Sequence, residues 1–212
     1  MNNIAIFGLG AIGSNLAVQL SKQYSSAIIH GYDFDRVEDR NIKTQAYFLE
    51  HVGQYKSQSL LAVLARSTRG IKYHPYLAEI ATKKDIETCV SDFKPNDLII
   101  DCFDNFKSRN LFKGIKHNIL HIGFSPQFSA EIIWNESYSS PNDIAKDAPD
   151  ICSLDNATSF IQFVVSFAAM IIVEFVNDKR KRNFIITGKY KIRELWKNYD
   201  RWSNGYGCYL LL

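Results

Sequence analysis

The chain has 212 residues, 46% of them hydrophobic and 22% charged, with 11 glycines, 5 prolines and a formal net charge of +3. That length suits one large domain over residues 1–212, because single cores grow to about 250 residues before they split, and the composition excludes a disordered or low-complexity chain. A charge this small does not mark a nucleic-acid binder, and no nucleic-acid partner is expected.

In chain order, NIAIFGLG is a short apolar run ending in glycine, read as a strand, and AIGSNLAVQLSKQY follows with Ile12, Leu16, Val18 and Leu20 at helical spacing. The chain enters this first strand with no basic leader, so a cytoplasmic location is the expectation. SAIIHGYDFD reads as the second strand, and VGQYKSQSLLAVLARST as a helix with Tyr55, Leu60, Leu61 and Leu64 turned inward. IKYHPYLAEI predicts a strand and loop, TKKDIETCVSDF a short amphipathic helix, NDLIIDCFDN an apolar strand ending in acids, and FKSRNLFKGIKH the helix after it. NILHIGFSPQFSAEIIWN reads as two strands around a Ser-Pro turn. The polar region from Glu136 to Thr158 reads as a long loop, a helix over 158–177 follows, and NFIITGKYKIRELW closes as a late strand pair.

The helix over 158–177 contains the longest apolar stretch, but Gln162 and Glu174 interrupt it and it falls short of the ~20 apolar residues of a span. It is expected to be a core helix and a homodimer contact, with no membrane partner. The basic cluster DKRKR (178–182) reads as the solvated end of that helix. Cys89, Cys102, Cys152 and Cys208 lie far apart and form no CxxC pair, so neither a zinc site nor a disulfide framework is expected. Strands alternating with helices predict an α/β fold with a doubly wound, mainly parallel sheet and a ligand crevice past the carboxyl ends of its strands.

GLGAIG places Gly8, Gly10 and Gly13 in a G-x-G-x-x-G pattern between the first strand and the first helix. Such glycines allow a tight turn and a close approach of backbone to phosphate, and the helix start offers free N–H groups to an anion. Asp33 stands 20 residues beyond Gly13 at the end of the second strand, where a carboxylate accepts both hydroxyls of a ribose. These features point to a nucleotide. Asp35, Asn41, Lys43 and Gln45 follow at once, more polar groups than a dehydrogenase needs beyond the ribose. ATP chemistry does need them, because a triphosphate requires a cation held by carboxylates and positive charge along the phosphates. Lys56, near the start of a helix, and Asp101 and Asp104, at the end of an apolar strand, fit the same demand.

GLGAIGS, DFDRVEDRNIKTQ, GQYKSQ and DCFDNFKSRN, in this order and spacing, resemble the motifs of the ThiF/MoeB/HesA superfamily, the fold shared with ubiquitin-activating enzymes. The resemblance covers most of residues 4–176. It implies a homodimer that uses ATP and Mg2+ to adenylate the C-terminal carboxylate of a ubiquitin-like protein or peptide. By position it also implies that Gly8, Gly10 and Gly13 line the nucleotide, that Asp33 holds the ribose, that Asn41 and Lys56 contact phosphates, and that Asp104 binds magnesium. Asp35 then sits beside the phosphate region, with Gln45 and Lys43 along the same edge.

The family frame Asn-Leu-x-Arg-Gln reads here Asn41, Ile42, Lys43, Thr44, Gln45, so Thr44 stands where relatives carry arginine. Lys43 or Arg40 could reach the same phosphates, although lysine lacks the bidentate fork of arginine. Cys152 precedes the long apolar helix, where some ThiF-like proteins carry a thiol that accepts the activated acyl group; a partly buried cysteine without chemistry is the alternative. Two other functions stay open: a non-catalytic ThiF-like scaffold or heterodimer subunit, and an NAD-dependent oxidoreductase.

Overall fold

The computed structural model describes residues 1–67, 70, 72–125, 127–139, 154–187 and 190–195. The first half alternates strand and helix: β1 (Asn3–Phe7), α1 (Ala11–Gln23), β2 (Ile28–Tyr32), α2 (Lys56–Ser67), β3 (Lys72–Tyr76), α3 (Lys83–Cys89), β4 (Leu98–Asp101) and α4 (Phe106–Asn110). Then come β5 (Asn118–Ser125), β6 (Ser129–Trp134), α5 (Ala157–Asp178), β7 (Asn183–Ile186) and β8 (Ile192–Leu195).

All eight strands join one sheet in the order β3-β2-β1-β4-β5-β6-β7-β8. Strands β3 to β5 pair in parallel, through helical crossovers, whereas β6, β7 and β8 extend the sheet antiparallel. Only a short turn separates β5 from β6, and a parallel pairing needs a crossover of a dozen residues or more, so the direction must reverse there. The fold is the expected doubly wound, mainly parallel sheet with an antiparallel extension.

The central strands are apolar on both faces because both are covered. In β1, Ile4 and Ile6 face a core built with α1, α2 and α5, while Ala5 and Phe7 face a second core with Ile86 of α3 and with Phe112 and Ile115 after α4. The polar interruptions of α5 lie clear of its buried stripe: Phe160, Ile161, Val164, Val165, Ala168, Ile171, Ile172 and Phe175 are buried, and Gln162 Nε2 donates to Asn15 Oδ1 of α1 at 2.9 Å. Left-handed residues bound α5, Asn156 (φ 65°) before it and Lys179 (φ 56°) after it. Asparagine enters that region at little cost because its short side chain can bond locally.

Three local expectations are corrected. Leu61 is 42% exposed, since the inward stripe of α2 runs through Leu60, Val63 and Leu64, and a residue one step along is rotated away. Tyr55 lies before α2, half-buried, with the Arg36 guanidinium 3.9 Å from its ring centre. The helix expected over 106–117 ends at Asn110, and Gly114 beyond it adopts φ 76°. Most of the expected long loop, Cys152 included, lies outside the described residues.

The chain leaves β1 outward to β2 and β3, then returns to place β4 on the other side of β1. This reversal opens a crevice between the exits of β1 and β4, the position where open α/β sheets take their ligands.

Candidate nucleotide site

The three glycines of the β1–α1 turn have three different surroundings. Gly8 adopts φ +84°, and a Cβ there would stand 3.0 Å from the carbonyl of Cys102 just after β4. At Gly13 a Cβ would collide at 1.9 Å with the Gly8 carbonyl oxygen, so this glycine lets α1 sit directly on the turn. A Cβ at Gly10 would meet nothing within 4 Å among the described residues. Gly10 is also the N-cap of α1, which has no side-chain cap and no acid in its first turn. The first N–H groups of a helix lack intrahelical partners and carry its partial positive charge, so α1 begins as an anion cradle.

Asp33 ties the cradle to the end of β2. It is buried, with Oδ2 accepting from Leu9 N at 2.7 Å and Oδ1 from Asp35 N at 2.8 Å. The phenol of Tyr47 donates to Leu9 O at 2.8 Å, so both polar groups of that backbone unit are held. Burial pushes the Asp33 carboxyl above its ordinary range, against the Lys56 ammonium and the two N–H donors. An ionised carboxylate has about four acceptor positions, and two N–H bonds leave capacity for ribose hydroxyls.

Lys56, the first residue of α2, is buried, and its Nζ donates to the exposed Asp35 carboxylate at 3.0 Å. Backbone bonds fasten the two segments together: Lys56 N to Asp35 O (2.9 Å), Val37 N to Gln54 O (2.8 Å) and Gly53 N to Val37 O (2.8 Å). The tip of a long flexible side chain is thereby delivered to the exit of β2.

The residues between these segments bond partly to each other and partly to the helices beside them. Asn41 is buried and its Oδ1 accepts from Glu38 N at 3.0 Å. Lys43 reaches toward α5: its Nζ lies 3.5 Å from Leu154 O, and its own carbonyl accepts from Thr158 Oγ1 at 2.8 Å. Arg40 pairs with Glu38 at 2.6 Å. Thr44 is buried, its carbonyl accepting from Asn15 Nδ2 at 2.9 Å. Gln45 is half-buried, and its Oε1 is a buried acceptor with no hydrogen-bond partner among the described residues.

Asp104 lies exposed on the turn between β4 and α4, with Asn105 Nδ2 3.3 Å from its Oδ1. Among the described residues no group of three or more His, Cys, Asp or Glu gathers as a metal site. A lone open carboxylate still fits magnesium, which takes one or two carboxylates and completes its shell with waters and substrate phosphates.

Residues 2–125, more than half of the chain, match the family model described as the ThiF family. The chain belongs to the ThiF family. Ubiquitin-like modifier-activating enzyme 5 of Arabidopsis thaliana is 27% identical over 119 residues, which are 50% of this chain and 27% of that protein. Among solved structures, PaaA superposes with a TM-score of 0.70 at 18% identity, over 92% of this chain and 64% of that one. E. coli MccB in a structure with ATP gives a TM-score of 0.70 at 16% identity, over 92% of this chain and 63% of that one. At such identities the likeness is one of fold. The ThiF chain here spans about a quarter of the plant enzyme and under two thirds of the two solved relatives.

Within this ThiF fold, sequence reasoning missed a buried polar network beside the Asp104 turn. Asp101 Oδ2 accepts from His121 Nδ1 at 2.7 Å and from Arg109 Nε at 3.2 Å, and Arg109 Nη1 donates to Glu131 Oε1 at 3.1 Å. His121 Nε2 meets Asn135 Oδ1 at 2.9 Å, and the Tyr138 ring stacks on the imidazole with centroids 3.8 Å apart. The signal available was an arginine and an aspartate inside one motif, DCFDNFKSRN.

Proposed function

We propose that this chain binds ATP with magnesium at the β1/β4 crevice and adenylates the C-terminal carboxylate of a ubiquitin-like protein or peptide. The observation that carries the reading is the joint between Asp33 and Leu9 N, which sets a ribose acceptor against an uncapped helix start. ThiF membership supports it, as do fold relatives whose structures contain ATP or MccA.

In this reading the α1 N-terminus and Gly10 receive the phosphates, Asp33 takes the ribose hydroxyls, and Lys56 supplies positive charge. Asp104 would hold magnesium, with Asp35 bordering the phosphate region; the cation, when bound, would screen the triphosphate. Asn41, Lys43 and Gln45 shape the edge of the pocket rather than its charge. A carboxylate oxygen of the acyl substrate attacks the α-phosphorus, the bond to the bridging oxygen of the β-phosphate breaks, and pyrophosphate leaves with that electron pair. The attacking group is already ionised at neutral pH, so no general base is needed. The site's task is to hold two anions in line and stabilise the departing charge. Transfer onward to a thiol belongs to the same reading, the Cys152 thiolate attacking the acyl carbon of the adenylate as the bond to the phosphate oxygen breaks and AMP leaves, and the protein is taken as a cytoplasmic homodimer.

Pyrophosphate exchange into ATP, driven by peptides or small proteins with free C-terminal carboxylates, tests the reading; exchange in the wild type is expected. Thr44 favours a second reading, because a small buried side chain stands where the resemblance implies an arginine. A non-catalytic ThiF-fold subunit would bind ATP and give no exchange with any acceptor.

A further inference from the structure

Two charged groups, Asp101 and Arg109, are buried on the α3/α4 side of the sheet, and the chemistry above uses neither directly. Asp101, the last residue of β4, is fully buried, and Arg109 of α4 and Glu131 of β6 share one guanidinium contact chain with it. The guanidinium crosses β5 at Gly123, where a Cβ would come within 2.3 Å of Nη1. Burial pushes the Asp101 carboxyl up, but Arg109 and His121 outweigh it and hold the group below its ordinary range. A buried ion pair is poor evidence of stabilisation, since desolvation offsets much of the attraction, so its presence here calls for another role.

The bonds of this pair converge on the turn that carries Asp104. Asp101 Oδ1 accepts from Phe103 N at 3.0 Å, gripping the turn at its start. Its Oδ2 accepts from Arg109 Nε at 3.2 Å, gripping the helix that follows the turn. Asn105 Oδ1 accepts from Ser108 N at 2.9 Å and caps that helix. Between these holds, Cys102 N donates to Phe7 O at 2.8 Å, and the Cys102 carbonyl packs on Gly8. The turn is therefore fixed to the glycine loop on one side and to the buried pair on the other.

We propose that Asp101 and Arg109 form a brace that sets Asp104 beside the glycine loop, making both of them positioning residues for the divalent cation of the nucleotide site. The proposal rests on the ATP-magnesium reading. Outer residues that orient a metal ligand typically alter metal affinity about 10- to 100-fold when changed. Asp101→Asn keeps the shape of the side chain and leaves Arg109 its bond to Glu131. Arg109→Lys, a second variant that keeps the buried positive charge, covers the case in which Asp101→Asn does not fold. Asp97→Asn is the control, because Asp97 accepts from Asn2 N, Asn3 N, Asn3 Nδ2 and Lys94 N at the opposite end of β4.

The measurement is ATP binding by equilibrium dialysis across a magnesium titration and in EDTA, with thermal melting of each protein alongside. The brace predicts that Asp101→Asn and Arg109→Lys raise the magnesium concentration for half-maximal ATP binding by about tenfold. Affinity in EDTA should stay at the wild-type value, and Asp97→Asn should lower the melting temperature without moving the magnesium midpoint. A midpoint unchanged in Asp101→Asn and Arg109→Lys, while Asp104→Ala shifts it, would overturn the brace and leave the ATP-magnesium reading standing. Wild-type ATP binding that is indifferent to magnesium and to Asp104→Ala would overturn that reading and the brace with it.

Discussion

Lys56 Nζ stands 3.0 Å from Asp35 Oδ2, and the backbone repeats the link with Lys56 N on Asp35 O at 2.9 Å. The lysine side chain is 10% exposed and its partner 54%, so a largely packed side chain carries its ammonium to an exposed carboxylate. Replacing it removes charge from the site without opening the core. Charge-assisted hydrogen bonds contribute roughly 1.5–3 kcal/mol, so Lys56→Met should weaken ATP binding by about tenfold or more in calorimetric titration.

The same lysine acts on Asp33. Burial raises the Asp33 carboxyl and Lys56 lowers it, so removing the lysine must raise it further. If Asp33 holds the ribose, its hydroxyls need the ionised form as acceptor, and ATP affinity should fall as the pH drops through the Asp33 value. That acid limb should lie above the ordinary carboxylate range in the wild type and higher still in Lys56→Met, as read from dissociation constants across pH. With respect to this group alone the sign for folding is the reverse. A carboxyl raised in the folded state favours folding below its unfolded value, and that contribution is lost as pH rises through the folded one.

Asp33→Asn cannot accept both backbone N–H groups that the carboxylate now holds. One buried donor is left unpaired, a loss of about 1–3 kcal/mol in urea denaturation. If Asp33 also holds the ribose, the wild type should prefer ATP to its 2′-deoxy and 3′-deoxy analogues, and the variant should lose most of that preference.

The glycines separate folding from binding. Gly13→Ala forces a Cβ to 1.9 Å from a backbone oxygen and should lower the melting temperature sharply. Gly10→Ala meets nothing within 4 Å among the described residues and has φ −76°, so it should fold like the wild type and yet bind nucleotide less well, if the methyl stands where backbone approaches phosphate.

Asp97 offers a pH test away from the site. Burial pushes its carboxyl up, but the Asn3 side chain and the N–H groups of Lys94, Asn3 and Asn2 hold it down, from 3.8 to about 2. A lowered carboxyl contributes stability above its unfolded value that is lost as pH falls through the folded one. The stability gap between wild type and Asp97→Asn should be full near neutral pH and close as the pH falls from 3.8 toward about 2.

What was legible in the sequence was what short-range pattern encodes. The glycine loop, the acid at the end of β2 and the lysine opening α2 each sit within one strand–turn–helix unit, and apolar runs marked the strands. The brace was not legible because register creates it. His121 meets Asp101 only because β5 pairs with β4 at that position, and Glu131 reaches Arg109 only because β6 sets it opposite Gly123. Side-chain direction was also beyond reach: the Lys43 ammonium lies 3.5 Å from Leu154 O, and Leu61, a leucine on an amphipathic helix, points outward.

Adenylation at this site is tested by ATP–pyrophosphate exchange driven by C-terminal carboxylate peptides or small proteins, run on the wild type, Lys56→Ala and Asp104→Ala side by side. Adenylation at this site would give exchange in the wild type and its loss in both variants, with all three proteins folded. Exchange that persists unchanged in both variants, or a wild type that binds NAD tightly and ATP not at all, would contradict it.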